Sequence, residues 1–386
     1  MRAAIVHYWL LGMRGGEKVV EGLCRLLPDA DIYTLFYDPE CVSPLIRSRV
    51  VKTSFLNPLR RLHRSLLPLM PIALETFDLR DYDLVITSES GPAKGVIVSS
   101  HARNICYCHS PMRYLWDLYP AYLHEWTSSR LKRALMMPLT NYLRLWDYSC
   151  ASRVDEFIAN SENVHRRIWR AYRRDSHIVY PPVPVETFYT ASADDYYLIV
   201  SELVPYKRIA DAVRCFSKTQ RRLKIVGLGP EYKLLRGLAA SNIEFCGRVS
   251  DAELRELYAH CRAVVLPGEE DFGIVAVETI ASGKPMIALG KGGVLESVPE
   301  RNPRAGFFYD HPGEDCLATA IETFEREEPH LFPKAIQAAA ARFSTERFEL
   351  AMRQLMGQTV SPSAAFYKTF TTPPRHSGAL RHNLRA

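Results

Sequence analysis

Short β-rich apolar runs punctuate this chain from end to end, and they fall into two sets. AAIVHYW, DIYTLFY, DLVITS, GVIVSS, NICYC and EFIAN occupy the first half; YYLIVS, LKIVG, IEFCG, AVVLP, PMIAL and GFFYD the second. Between most of them lie longer stretches with helical spacing, such as DAELRELYAHC at 251–261. Near-continuous apolar strands separated by helices build parallel sheets, because the crossover helices cover both faces. Two sets of strands therefore imply an α/β chain of two doubly wound domains side by side. Its 386 residues exceed what one core holds, since single cores stop growing at about 250–300 residues.

The seam falls in VYPPVPVETFYTASADD, residues 179–195, where three prolines within four residues block helix and weaken strand. A first domain is read over 1–185 and a second over 193–343, with a helical stretch at about 344–358 packing back on the first. Residues 361–386 lack apolar periodicity and read as a disordered basic tail.

Composition excludes some classes. A net charge of +6 fits nucleic acid, anionic headgroups or a phosphorylated ligand. No dense basic run with interleaved aromatics and no nucleic-acid motif appears, so a nucleic-acid partner is not expected. The nine cysteines form no CxxC pair and sit mostly in apolar runs, which reads as reduced thiols in a cytosol. MRAAIVHYWL reads as a first strand and not a signal peptide. No stretch of uncharged apolar residues reaches the length of about 18 that suggests a membrane span.

In open parallel sheets ligands bind at the carboxyl ends of strands, and five motifs stand there. LLGMRGGEKVVEGL brings Gly12, Gly15 and Gly16 before a helix; it is neither GxGxxG nor a P-loop, and a plain tight turn explains it as well as a substrate loop. CYCHSPMRYLWD ends a strand on His109, a core histidine or a catalytic one. VSELVPYKRIADA sets Lys207 and Arg208 ahead of a helix whose positive end repels them, a conflict that a bound anion removes. KIVGLGPEYKLL carries Gly227 and Gly229 in a turn. PGEEDFGIVAVETIASGKP is the most telling. Gly273 and Ile274 would begin a helix with its free amides in the cleft, Glu270 just before it and Glu278 inside it. Carboxylates suit sugar hydroxyls, and amides with the helix dipole suit a diphosphate. Glu269 reads as a surface acid, and the triplets DAD (29–31) and DYD (81–83) as turns; no metal site is expected.

In this order the motifs closely resemble the retaining glycosyltransferases of family four, which have the GT-B fold, over about residues 1–358. The resemblance rests on Glu270 and Glu278 in Glu-x7-Glu, VGLGP, GKP, CHSPMRYLWD and IANSENV…VYPPV. It implies that Lys207 and Arg208 hold the diphosphate of a nucleotide-sugar donor. Glu270 and the amides of Phe272 and Gly273 would contact the transferred sugar, Ile274 would line the donor site, and Glu278 would bind the ribose. His109 would reach the sugar from the first domain, and Gly15 and Gly16 would line the acceptor side. Many relatives carry an Arg where this chain has Glu202, so Arg208 is read as the second positive charge.

CHSPMRYLW and SELVPYKRI are most similar to bacterial enzymes of O-antigen and exopolysaccharide assembly, often mannosyltransferases using GDP-mannose. A polyprenyl-diphosphate-linked saccharide would be the acceptor, and no cofactor is expected. The alternative is a catalytically inactive, membrane-associated partner subunit, against which intact Glu270, Glu278, Lys207 and His109 argue. NPLRRLHRSLLPLMP (57–71) would form a helix with Leu59, Leu62 and Leu66 on one face and Arg60, Arg61 and Arg64 toward the other. SSRLKRALMMPLTNYLRLWDY (128–148) mixes cations with apolar residues in the same way, and Trp116, Trp126 and Trp146 fall nearby. Such segments either cover the sheet or rest on an anionic leaflet. With a lipid-linked acceptor, the expected location is the inner face of the cytoplasmic membrane.

Overall fold

The computed structural model describes residues 1–124 and 129–357; Trp126 and the expected tail at 361–386 lie outside them. Seven strands form the first sheet: β1 (Ala3–His7), β2 (Asp31–Thr34), β3 (Val51–Thr53), β4 (Leu84–Glu89), β5 (Arg103–Cys108), β6 (Glu156–Ala159) and β7 (Ser176–Ile178). Six form the second: β8 (Tyr197–Val200), β9 (Leu223–Val226), β10 (Ile243–Gly247), β11 (Val264–Leu266), β12 (Met286–Leu289) and β13 (Gly306–Tyr309). The orders are β3-β2-β1-β4-β5-β6-β7 and β10-β9-β8-β11-β12-β13, and neighbouring strands run parallel. This is the two-domain α/β architecture of the GT-B fold.

Each order reverses once, between β1 and β4 and between β8 and β11. At such a point the loops leave in opposite directions and open a crevice. Helices α1 (Gly15–Leu26), α5 (Asp251–His260) and α6 (Ile274–Ala281) contribute to its lining, while α2 (Arg130–Cys150), α3 (Glu162–Tyr172) and α4 (Ile209–Ser217) lie outside it. A last helix, α7 (Thr345–Gly357), returns to the first domain. Its Phe348 and Met352 are buried with Val19, Val20 and Leu23 of α1.

Three local readings change. GVIVSS is not a strand: β4 already pairs with β1 and β5, which leaves no edge for it, and residues 93–95 form a 3-10 turn instead. The edge strands β3 and β7 are short and partly exposed, so they lack the apolar signature of the others. Residues 57–69 form a run of 3-10 turns broken at Leu59, not an α-helix. Pro68 within the run has no amide to donate, which limits a longer α-helical ladder.

One buried charge cluster braces the first domain. The Lys94 ammonium, fully buried, meets Glu89 Oε1 at 3.2 Å and also Asp147. The indole of Trp116 (2.8 Å) and the hydroxyl of Tyr172 (2.9 Å) donate to Asp147 Oδ2. Burial pushes the Glu89 carboxyl up to about 7, against the pull of Lys94.

Breaking a buried pair leaves an uncompensated charge, so Lys94→Met should cost about 3–5 kcal/mol in urea unfolding. Lys218→Met at the exposed Lys218–Glu314 pair should cost far less. Glu89 also sets a pH dependence. Its pKa rises from an ordinary 4.5 to about 7 in the fold, so its stabilising contribution is full at low pH and fades as pH climbs through that window. Wild type should therefore lose stability relative to Glu89→Gln as pH rises from 5 to 8.

Candidate functional site

The carboxyl ends of both sheets face one cleft of about 1160 Å³. Its second-domain wall is built from loops that approach closely. Gly227, at φ 132°, lies where a Cβ would be 1.8 Å from the Ser201 carbonyl oxygen, and at Gly229 one would be 2.3 Å from that of Leu203. Any side chain there would push the β9 loop off the β8 loop, so the glycine turn is a packing requirement.

The β8 loop carries Lys207 and the β11 loop Glu270, and the two form an ion pair. Burial alone would push the Lys207 ammonium down; the Glu270 carboxylate reverses this and holds it above its ordinary value. Gly273, at φ 85°, caps α6, whose first amides open toward the cleft. Phe272 is buried, stacked on Tyr180 and edge-on to Phe343, so its ring anchors the loop. Glu278 is nearly buried within α6. Lys18 of α1 reaches across to its Oε1 (3.1 Å), and the Tyr258 hydroxyl donates to its Oε2 (2.9 Å). The Glu278 charge in turn raises the Lys18 pKa.

The first-domain wall begins at the N-terminus of α1. Gly15 packs on the Ile274 side chain, and Gly16 lies against His7 and His109. His109 Nε2 and Ser88 Oγ are 2.9 Å apart. His7 Nδ1 donates to the Ser88 carbonyl at 2.8 Å, which leaves His7 Nε2 as a buried acceptor without a hydrogen-bond partner. Burial lowers His109 to about 4 and His7 to about 3. Both imidazoles are neutral near pH 7, and His109 can therefore exchange a hydrogen bond with a sugar hydroxyl.

The structure thus brings Gly15, Gly16, His109, Lys207, Gly227, Gly229, Glu270, Phe272, Gly273, Ile274 and Glu278 to one cleft. Arg208 is different. It sits in the left-handed region at the cap of α4 and bonds Asp211 at 2.8 Å, away from the cleft lining. Arg64 also departs from expectation: it lines the cleft and meets Glu202 Oε1 at 3.3 Å. Arg60 pairs with Asp38 at 3.5 Å, and Arg61 is exposed.

Several residues in and beside the cleft escaped the sequence reading. Asp271 meets Arg113 at 3.3 Å and also pairs with Arg167. Burial would raise its carboxyl, but the two guanidiniums outweigh that and hold it below the usual range. Glu269, expected as a surface acid, is 35% exposed and also pairs with Arg167 of α3 across the domain boundary. Glu296 accepts from the amides of Glu162 (2.8 Å) and Asn163 (3.2 Å) at the α3 N-terminus. These contacts join residues more than 100 positions apart, so no local spacing announces them.

Family models match both halves in order: Glycosyltransferase Family 4 over residues 13–187, and Glycosyl transferases group 1 over 189–342. A glycosyltransferase of Methanocaldococcus jannaschii, MJ1178, is 29% identical over 149 residues, 37% of this chain and 42% of that one. The sulfoquinovosyl transferase SQD2 of Arabidopsis thaliana is 33% identical over 140 residues, 34% of this chain and 26% of that one. The GDP-mannose-dependent alpha-(1-6)-phosphatidylinositol monomannoside mannosyltransferase of Mycobacterium tuberculosis is 32% identical over 140 residues, 32% of this chain and 36% of that one. The match thus spans less than half of each of these relatives. Among solved structures, Anabaena Alr3699/HepE in complex with UDP and glucose superposes with a TM-score of 0.68 at 16% identity, over 93% of this chain and 100% of that one. Sucrose-phosphate synthase from Thermosynechococcus elongatus gives 0.69 at 17%, over 92% and 98%. At such identities the likeness is one of fold. With the two family models in tandem along its length, the chain belongs to the family-4 type of GT-B glycosyltransferases.

Proposed function

We propose that the protein moves a hexose, with mannose from GDP-mannose the favoured donor, onto a lipid-linked saccharide in bacterial surface polysaccharide synthesis. The observation that carries this reading is the line of groups along the second-domain wall. Glu270 and Lys207 stand beside the amides that open α6, and Glu278 lies further along the same helix. A nucleotide-sugar has hydroxyls at both ends and a diphosphate between them, in the same order. The printed activity of the mycobacterial relative supports mannose, while the UDP complexes of the structural neighbour make a UDP-sugar the competing donor. Binding of GDP against UDP, read by thermal shift, separates them; a ligand at about 100 times its Kd stabilises by about 2.7 kcal/mol.

In the proposed reaction the bond from the anomeric carbon to the β-phosphate oxygen breaks as the acceptor oxygen bonds on the same face. The acceptor's proton passes to the departing phosphate, so the configuration is retained. Lys207 and the α6 amides meet the charge that develops on the leaving group. His109, neutral, holds the sugar from the other wall.

The membrane-surface reading moves to α2. Its Leu131 (71%), Leu135 (65%), Tyr142 (49%) and Leu145 (65%) are exposed, beside Arg130, Lys132 and Arg133. Apolar side chains flanked by cations are what an interfacial helix presents to an anionic leaflet. Leu59 and Leu62, also exposed, extend this character with Arg61. Among the described residues no helix is long and apolar enough to cross a membrane.

Glu270→Gln should cut turnover at least about a hundredfold, the usual scale for a lost transition-state contact. Glu269→Gln, which loses only a contact between domains, should cost much less; equal losses would remove Glu270 from the sugar. Turnover should persist in excess EDTA, and a complete loss restored by Mg²⁺ would contradict a leaving group held by protein groups alone. In liposome sedimentation, wild type should pellet with anionic vesicles at low salt, and Leu131→Ser/Leu135→Ser far less. Wild type remaining in the supernatant throughout would point to a soluble acceptor.

A further inference from the structure

Lys207 is already engaged with Glu270, so that pair brings little net charge to a departing diphosphate. A leaving nucleoside diphosphate carries more than one negative charge, and among the described residues lining the cleft the second-domain wall offers no further cation at this level. Arg208 is turned onto Asp211. Arg248 lines the cleft, but it follows β10, two strands out from β8.

The opposite wall supplies what is missing. Arg14 precedes Gly15, which rests on Ile274 at the very start of α6. Its guanidinium crosses the cleft to Glu202 Oε2 at 3.2 Å, on the loop that leads from β8 to Lys207. The second oxygen of Glu202 is held by Arg64 at 3.3 Å. The Arg14 side chain is 60% exposed and Glu202 31% exposed. An exposed pair of this kind is weak, whereas a guanidinium on a phosphate forms two parallel charge-assisted hydrogen bonds. Exchange of Glu202 for a phosphate is therefore favourable at little cost.

Building on the transferase reading, we infer that Arg14 is the second cation of the leaving-group clamp, delivered from the first domain. Glu202, fixed by Arg64, is a positioning residue: it holds the guanidinium at the level of the diphosphate until the donor takes its place. The clamp is then complete only while both domains are in contact, which ties departure of the nucleoside diphosphate to closure of the cleft.

Calorimetric titration of GDP, UDP and ADP, and of guanosine, uridine and adenosine, into four proteins tests this. For whichever diphosphate binds wild type best, Arg14→Gln should weaken binding at least about tenfold, the loss of one charge-assisted pair. Arg14→Lys should keep most of the affinity. Arg14→Gln/Glu202→Arg, which moves the cation to the facing wall, should regain most of it. Affinity for the matching nucleoside should be the same in all four, which also shows that the variants are folded. Unchanged diphosphate affinity in Arg14→Gln, or an equal loss for the nucleoside, overturns the role of Arg14 alone. Wild type that binds none of the diphosphates overturns the transferase reading and this inference with it.

Discussion

Carboxylates of the second domain meet cations of the first at three levels of the cleft. Glu278 takes Lys18, Glu202 takes Arg14 and Arg64, and Glu269 with Asp271 takes Arg113 and Arg167. Each domain has its own core, so the cleft is not sealed by apolar burial. Partly exposed ion pairs are individually weak, because water screens them and long side chains lose freedom in making them. A seam of such pairs holds two domains in register and still lets them part. That is the property a substrate cleft needs. The exception is informative: Glu270 pairs with Lys207 of its own domain, so the groups nearest the proposed chemistry keep their arrangement whatever the domains do.

The rest of the site depends on where the sheets reverse. The loop after β1 brings Gly15 and Gly16, the end of β4 brings Ser88, and the loops after β8 and β11 bring Glu202, Lys207 and Glu270. These loops must lie within a few ångströms of one another, and the sequence records that demand as glycine. At Gly292 a Cβ would stand 2.3 Å from the Glu270 carbonyl oxygen, and at Gly268 one would stand 2.7 Å from Lys207 Cα. The β11 loop is thus fixed on both sides by backbone contact, which sets Glu270 before any ligand arrives.

All six strands of the second domain were legible as apolar runs: the inner ones are mostly buried on both faces and read continuously, and the partly exposed edge strand β10 keeps Ile243 and Phe245 in its run. In the first domain GVIVSS misled: its valines are drawn to the core beside Leu74 and Ala93, yet the preceding strand β4 is already flanked by β1 and β5. Among site residues, those fixed by a local motif were readable, as with the Gly273-led helix and its flanking glutamates. Arg208, expected beside Lys207 on the diphosphate, pairs with Asp211 instead of lining the cleft, a contact within its own helix that adjacency to Lys207 does not announce. Lys18, Arg14 and Arg167 were missed for a different reason. Their partners lie in the other domain, and only the closed tertiary structure brings such charges together.

One chain of contacts links the exposed face of α2 to the site. Asp147 lies on that helix and grips Lys94, whose own amide donates to Glu89 Oε2 at 2.8 Å. The Glu89 carbonyl accepts from the His109 amide at 2.7 Å, and Ser88, one residue earlier, meets the His109 ring. Every member of this path before His109 is buried, and the charges in it are satisfied mainly by one another. Close-packed interiors do not deform smoothly, so this path ties the placement of α2 to that of His109. On the membrane-surface reading, a helix resting on the leaflet then fixes the height of His109 above it. A lipid-linked acceptor, itself held at that surface, would meet the sugar at a set distance. The second domain, joined through exchangeable ion pairs, is left free to bring the donor.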